Sequence, residues 1–299
     1  MIDRERETPR RAREFCKRLF CAFAPLFLIL SSCNDNETPP PAKGAYEAAP
    51  VTPLPCIPNL DGKIESRELT PQIGIPSTYL VTPPGKERQV DLAGRTNASG
   101  KLEWSFAVDY ADDGVASLSA QKLDGKWYAG SFGGVSNPVV VAVDVAGRTE
   151  GVYTHDESGF FLHGVASAEA DPPEGRTLLV YDTPIMLFRF PLEAGAAWTS
   201  VGVVRDGRLR GLPIATRDTY EVSVDGAGQI NLPDFILTQA LRVRTNVTIS
   251  PTPGQVTTQR QVGFLFECIG EVARATSKLN ETEENFTAAT ELRRLGLAP

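Results

Sequence analysis

The sequence predicts an all-β, mainly antiparallel domain, either a sandwich or a half-barrel of many short strands. Three observations predict it. Beyond Pro71 apolar and polar residues alternate with period two, and turn residues break the pattern at short intervals. Those breaks carry Asp124-Gly125, Ala146-Gly147, Ser158-Gly159, Asp206-Gly207 and Asp225-Gly226, pairs tolerant of positive φ and suited to hairpins. Between Pro71 and Leu279 no stretch shows the apolar stripe of an amphipathic helix.

Taken in order, the candidate strands are Ile73–Thr82, Leu102–Asp109, Lys126–Phe132, Val139–Val145, Thr149–Thr154 and Gly159–Val165. After the polar break Glu169–Arg176 come Leu178–Phe190, Ala197–Val204, Asp218–Val224, Ile230–Leu232, Leu241–Ile249, Val256–Glu267 and Glu271–Ala275. The tail Glu284–Leu295, with Glu291, Arg293 and Arg294, reads as a terminal helix or a final strand. So many short strands with hairpin signals fit a sandwich or a barrel.

What precedes this region is of another kind. Met1–Arg18 is charged, with more base than acid, and Leu19–Leu30 is almost wholly apolar. A basic flank, a short apolar core and a small-residue exit are the three parts of a secretion signal. The apolar run falls short of the roughly 20 residues that span a bilayer. An uncleaved anchor with an incidental cysteine is the alternative. The run closes on Leu30-Ser31-Ser32-Cys33, which resembles the lipobox of bacterial envelope lipoproteins. The resemblance covers the first 33 residues. It implies cleavage between Ser32 and Cys33 and lipidation of the Cys33 thiol, with two or three acyl chains giving a stable membrane attachment. Asn34, where the inner-membrane retention signal has aspartate, implies the outer membrane as the site within the cell envelope.

The chain therefore divides into a signal peptide (1–32), a tether (33–55) and one β-rich domain (56–299). A division of that domain into halves near 166–177 is the alternative. The tether carries Pro39, Pro40, Pro41, Pro50, Pro53 and Pro55, and proline-rich segments extend at about 3 Å per residue. Hydrophobic residues make up 41% of the chain and charged ones 22%, ordinary for a folded domain. The formal charge of −7 becomes more negative once the basic signal is removed. That argues against nucleic acid as a partner.

Of five cysteines, Cys16 and Cys21 leave with the signal and Cys33 takes lipid. Cys56 and Cys268 remain, and in an oxidising compartment they are expected to form a disulfide, with two buried thiols as the alternative. Directly after Cys56, Asn59, Asp61, Gly62 and Glu68 match oxygen-ligand and turn positions of an EF-hand-type calcium loop. Ile57 stands where the first aspartate belongs, so the competing reading is a turn leading into a short helical piece.

Chemistry has few other candidates. His155 and His163 flank the Asp156–Gly159 turn and would face each other across a hairpin, either as metal ligands or as an ordinary polar pair. No nucleophile elbow, His-Glu-x-x-His, phosphate loop or dinucleotide fingerprint occurs, so no cofactor is implied. Ile185–Phe190 alternates poorly, which gives it two buried faces or one face on a cavity. Met186, Phe188, Phe190 and Trp198 are the residues a hydrophobic guest would meet there. Trp104, Trp127 and Trp198 either converge on such a site or fill the core.

Leu187-Phe-Arg-Phe-Pro-Leu192, Gly195, Trp198, Leu232-Pro233 and Leu241-Arg242-Val243 resemble a phrase of secreted bacterial β-domains of unknown function. Some of those are similar to the half-barrel of the bacterial lipoprotein-carrier fold. The expectation is a lipid-anchored, non-enzymatic envelope protein whose β-domain is a scaffold or binds a protein partner. A carrier or sensor of a hydrophobic ligand is the alternative, and an anchored hydrolase the third.

Overall fold

The computed structural model describes residues 56–297. Ser32, Cys33, the signal-like segment and the tether lie outside the described residues. The description begins with a strap containing β1 (Lys63–Ile64) and a 3-10 turn at Ser66–Leu69. Then come β2 (Pro76–Val81), β3 (Arg88–Gln89), β4 (Arg95–Thr96), β5 (Leu102–Ser105), β6 (Gly114–Ser119) and β7 (Gln121–Lys122). A second 3-10 turn, Ala129–Phe132, precedes β8 (Val139–Ala142), β9 (Thr149–His155), β10 (Gly159–Ser167) and β11 (Leu178–Arg189). The remaining strands are β12 (Leu192–Glu193), β13 (Ala197–Leu209), β14 (Leu212–Asn231), β15 (Ile236–Thr252), β16 (Thr257–Phe266), β17 (Gly270–Leu279), β18 (Ala288–Ala289) and β19 (Glu291–Leu295).

One antiparallel sheet dominates, in the order β6-β2-β19-β17-β16-β15-β14-β13-β11-β10-β9-β8-β7. Its two edge strands, β6 and β7, are joined in sequence through Ala120 alone. The sheet therefore curls until its ends meet, a nearly closed barrel. The fold is all-β, as the alternation predicts.

Two stretches of the sheet's outer face are covered as well, and the alternation shows how. Val140, Val152, Phe264 and Leu292 point outward, while Val141, Tyr153, Leu265 and Arg293, their chain neighbours, line the interior. Outside, residues 83–113 lay Val90, Leu92, Trp104 and Phe106 over Val262, Phe264, Ala273 and Leu292. Trp104 and Phe106 meet the Phe264 ring edge-on at 5.0 and 5.2 Å. Residues 123–138 do the same for the far side of the sheet, with Leu123, Tyr128 and Phe132 on Val140, Val152 and Ala166. Strands covered on both faces need apolar residues on both. Within Ile185–Phe190 the consecutive Leu187 and Phe188 both line the interior, which is why that stretch alternates poorly.

Four expectations change. Lys126–Phe132 is a 3-10 turn and loop, because Tyr128 and Phe132 serve as lumps of apolar surface over β8–β10 and pair with no strand. Asp218–Val224 and Ile230–Leu232 fuse into β14, and Asp225-Gly226 is a register shift within its pairing to β15, not a turn. Asp206-Gly207 is likewise a bulge inside β13. Of the two readings of the tail, the final strand is the one present, and β6 is a further strand that the alternation does not mark.

Gly228 shows why glycine sits inside β14. β5 crosses here, pairing in parallel with Gln229–Asn231. A Cβ on Gly228 would overlap the Leu102 carbonyl, with the Leu102 carbonyl carbon at 2.9 Å. Gly228→Ala is expected to destabilise the domain by about 2 kcal/mol or more, as overpacking against backbone does. Gly130→Ala, which meets nothing within 4 Å, should change it by less than about 0.5 kcal/mol. Urea unfolding midpoints compare the two, and equal midpoints would refute the close approach.

Candidate functional site

The barrel interior is not filled. A cavity of about 510 Å³ lies within the curl. Its walls alternate along the strands, as period two requires: Ser77 and Tyr79 from β2, Tyr153 from β9, Arg293 from β19. Apolar surface comes from Val141, Tyr153, Phe160, Leu187, Phe188 and Leu265. The Tyr153 and Phe160 rings stack at 5.0 Å, and Phe188 continues the stack at 6.1 Å from Phe160. Ile75 and Ile269 line the cavity and are exposed, so they mark its rim.

Opposite the aromatic wall, the lining includes Glu271, Arg274 and Arg293. Glu271 Oε1 stands 3.6 Å from Nε of Arg274 and 3.6 Å from Nε of Arg293. Arg293 Nε is nearer to Glu291 Oε1, at 3.2 Å. The Tyr79 hydroxyl donates to the Glu271 carbonyl at 2.8 Å. Burial raises the Glu271 carboxyl above its ordinary value, and the Arg274 charge only partly offsets this. Glu291 is raised by burial too, again opposed by Arg274. Burial pushes the Tyr153 phenol up to about 12, so it stays a neutral hydroxyl at physiological pH.

The strap crosses the rim. Leu69, Thr70, Pro71 and Gln72 line the cavity beside Cys268 and Gly270, with the Cys268 amide donating to the Glu68 carbonyl at 2.9 Å. Cys56 and Cys268 are bonded, with Cα atoms 5.5 Å apart and a sequence separation of 212. Glu267 Oε2 accepts from the Asn59 and Leu60 amides, both at 2.7 Å. The calcium-type residues are engaged within this strap. Asn59 Oδ1 caps the Asp61 amide at 2.9 Å, and Asp61 Oδ1 caps Lys63 N at 2.9 Å. Glu68, buried, accepts from Asn59 Nδ2 at 3.1 Å and Glu65 N at 2.9 Å. The geometry is that of a capped turn entering a short helical piece, the competing reading of that segment.

His155 and His163 take separate partners. His155 Nε2 lies 2.9 Å from the Ser66 carbonyl oxygen, so that histidine anchors the strap. His163 Nε2 lies 2.8 Å from the Thr154 hydroxyl, and burial lowers its basicity. Among the described residues no three His, Cys, Asp or Glu side chains are grouped to hold a metal.

Of the residues expected to meet a hydrophobic guest, Phe188 lines the cavity. Met186, Phe190 and Trp198 are not part of its lining. Trp198 donates from Nε1 to the Met186 carbonyl at 3.0 Å, and Phe190 packs its ring on His155 at 5.4 Å. The three tryptophans do not converge: Trp104, Trp127 and Trp198 belong to three different apolar clusters. Glu271, Arg274 and Arg293 were not legible as a site, although charge inside the apolar strands Glu271–Ala275 and Glu291–Leu295 is the one signal that marks them. No family model, curated protein or solved structure matches the chain.

Proposed function

We propose that this chain is a lipid-anchored envelope lipoprotein whose β-barrel holds a small amphipathic ligand. The observation that carries this reading is the cavity of about 510 Å³, a size and apolar character typical of small-molecule sites. A scaffold needs no such interior. Residues 83–113 and 123–138 already cover the outer face over β16, β17 and β19 and over β8–β10, whereas the cavity reaches a rim bearing exposed Ile75 and Ile269. The proline-rich segment that follows Cys33 in sequence joins the domain at Cys56, beside that rim. Lipid on Cys33 would tie the domain to the outer membrane.

Native mass spectrometry of the full chain purified from an exporting bacterium tests the reading. A bound small molecule is expected at near-stoichiometric amount, and Val141→Trp, which fills the cavity from β8, should release it. A protein that is empty and stays empty on adding single-chain lipids would refute the ligand-binding role. Cys33→Ala checks the anchor separately: an unprocessed, unlipidated precursor is expected, and normal maturation would remove the lipoprotein reading.

A further inference from the structure

The cavity has two unlike walls, and their chemistry constrains the ligand more narrowly than its volume. One is aromatic and aliphatic, with Tyr153, Phe160, Leu187, Phe188 and Leu265. The other carries two guanidinium groups, Arg274 and Arg293, and the carboxylate Glu271; a second lining carboxylate, Glu68, belongs to the strap and is hydrogen-bonded to Asn59 and Glu65.

The two arginines are not equivalent. Arg293 is buried, its side chain 5% exposed, and it is held by Glu291 at 3.2 Å and the Val143 carbonyl at 3.5 Å. Arg274 has no such partner. Its Nε is buried without a hydrogen-bond partner among the described residues. Its nearest acid, Glu271 Oε1, stands 3.6 Å away, beyond hydrogen-bond reach, and is shared with Arg293 at the same distance. An arginine does not deprotonate, so its positive charge persists in this setting. The Arg274 side chain is 21% exposed and lines the cavity, where an incoming anion would supply the hydrogen-bonded counterion that Glu271 does not. Burial raises the nearby Glu271 and Glu291 carboxyls above their ordinary values, and the Arg274 charge opposes the rise at each.

We infer that the cavity takes a single-chain amphiphile with an anionic head, carboxylate or phosphate, its head paired with Arg274 and its chain along the Tyr153–Phe160–Phe188 wall. This rests on the ligand-binding reading above and goes beyond it by fixing the charge of the ligand. A guanidinium offers a planar fork of donors that matches either oxyanion in a bidentate pair. A cationic head would instead meet two arginines and compete with them for Glu271.

Titration calorimetry on the full chain, carrying Cys33→Ala so that it bears no acyl chain of its own, tests this with four probes of equal chain length. Laurate and dodecyl phosphate carry the anion, dodecanol is neutral, and dodecyltrimethylammonium is a cation. Laurate or dodecyl phosphate is expected to bind about tenfold or more tightly than dodecanol, the worth of one charge-assisted hydrogen bond. Which of the two is tighter tells carboxylate from phosphate. Arg274→Gln should abolish that advantage, measured against dodecanol binding in the same variant. Dodecanol binding also reports that the variant is folded and its cavity intact. Arg274→Lys should keep part of the preference, since it keeps charge without the fork. Equal binding of all four probes, tighter binding of the cation, or an unaltered preference in Arg274→Gln would overturn the inference and leave the ligand-binding role standing. If no probe binds, both fall.

Discussion

Arg294→Met should destabilise the domain by about 3–5 kcal/mol, the range for removing one partner of a buried ion pair. Arg294 is fully buried on the outer face of β19. It pairs with Asp113, whose side chain is 4% exposed, and it donates to the carbonyls of Phe106 and Val108. Its guanidinium also lies over the Tyr110 ring at 5.1 Å. One side chain thus fastens the end of the segment 83–113 to the sheet that it covers. Methionine fills a similar volume but leaves a buried carboxylate short of a partner and two carbonyls without a donor. Arg88 still reaches Asp113 at 2.7 Å, which keeps the loss from being larger. The double variant Arg294→Met/Asp113→Leu should recover part of it, because both charges are then gone. Denaturant unfolding of the two variants decides: a loss below about 1 kcal/mol in the single variant would contradict this account.

Removing the Cys56–Cys268 bond carries the other large effect. The bond closes a loop of 212 residues, for which the chain-entropy argument gives up to about 5 kcal/mol. Cys56→Ser/Cys268→Ser is expected to lower the urea midpoint strongly yet still fold, since other bonds hold the strap. Glu267 accepts from Asn59 and Leu60, and the Ser66 hydroxyl donates to the Asp156 carbonyl at 2.9 Å. The strap lines the cavity rim at Leu69–Gln72, so the same variant should also exchange ligand faster. Parallel unfolding curves of oxidised and reduced wild type check the first part. Coincident midpoints would show that the bond adds nothing.

The predicted strands from Val139 to Phe190 fall close to β8 through β11, because in that region each turn pair closes a real hairpin. Further on the same dipeptides mislead. Asp206-Gly207 and Asp225-Gly226 suit tight turns, but here they are bulges in strands of 13 and 20 residues. A glycine admits positive φ and also admits close approach, and composition does not distinguish the two uses. At Gly207 the second applies: a Cβ there would stand 2.7 Å from Val204 Cγ1 and 2.9 Å from Leu179 Cδ2. The strand Gly114–Ser119 escaped notice because Val115 and Leu118 are its only large apolar residues, too few for an alternation to register.

By itself, the sequence determined what local pattern can encode: an all-β domain from period two and turn chemistry, and two cysteines left to pair. The Cys56–Cys268 bond is present in the structure. Tertiary structure alone decided that the sheet closes on itself, because closure depends on strand order: the edge strands β6 and β7 are joined through Ala120, and β19 returns from the far end of the domain to pair with β2. It also decided the cavity. Ser77 and Tyr153 lie more than a hundred residues from Leu265, Arg274 and Arg293, and only the curl of the sheet brings the inward face of one strand opposite that of another. Alternation says which residues share a face; it does not say what that face will meet, because that is set by contacts between residues a hundred or more positions apart.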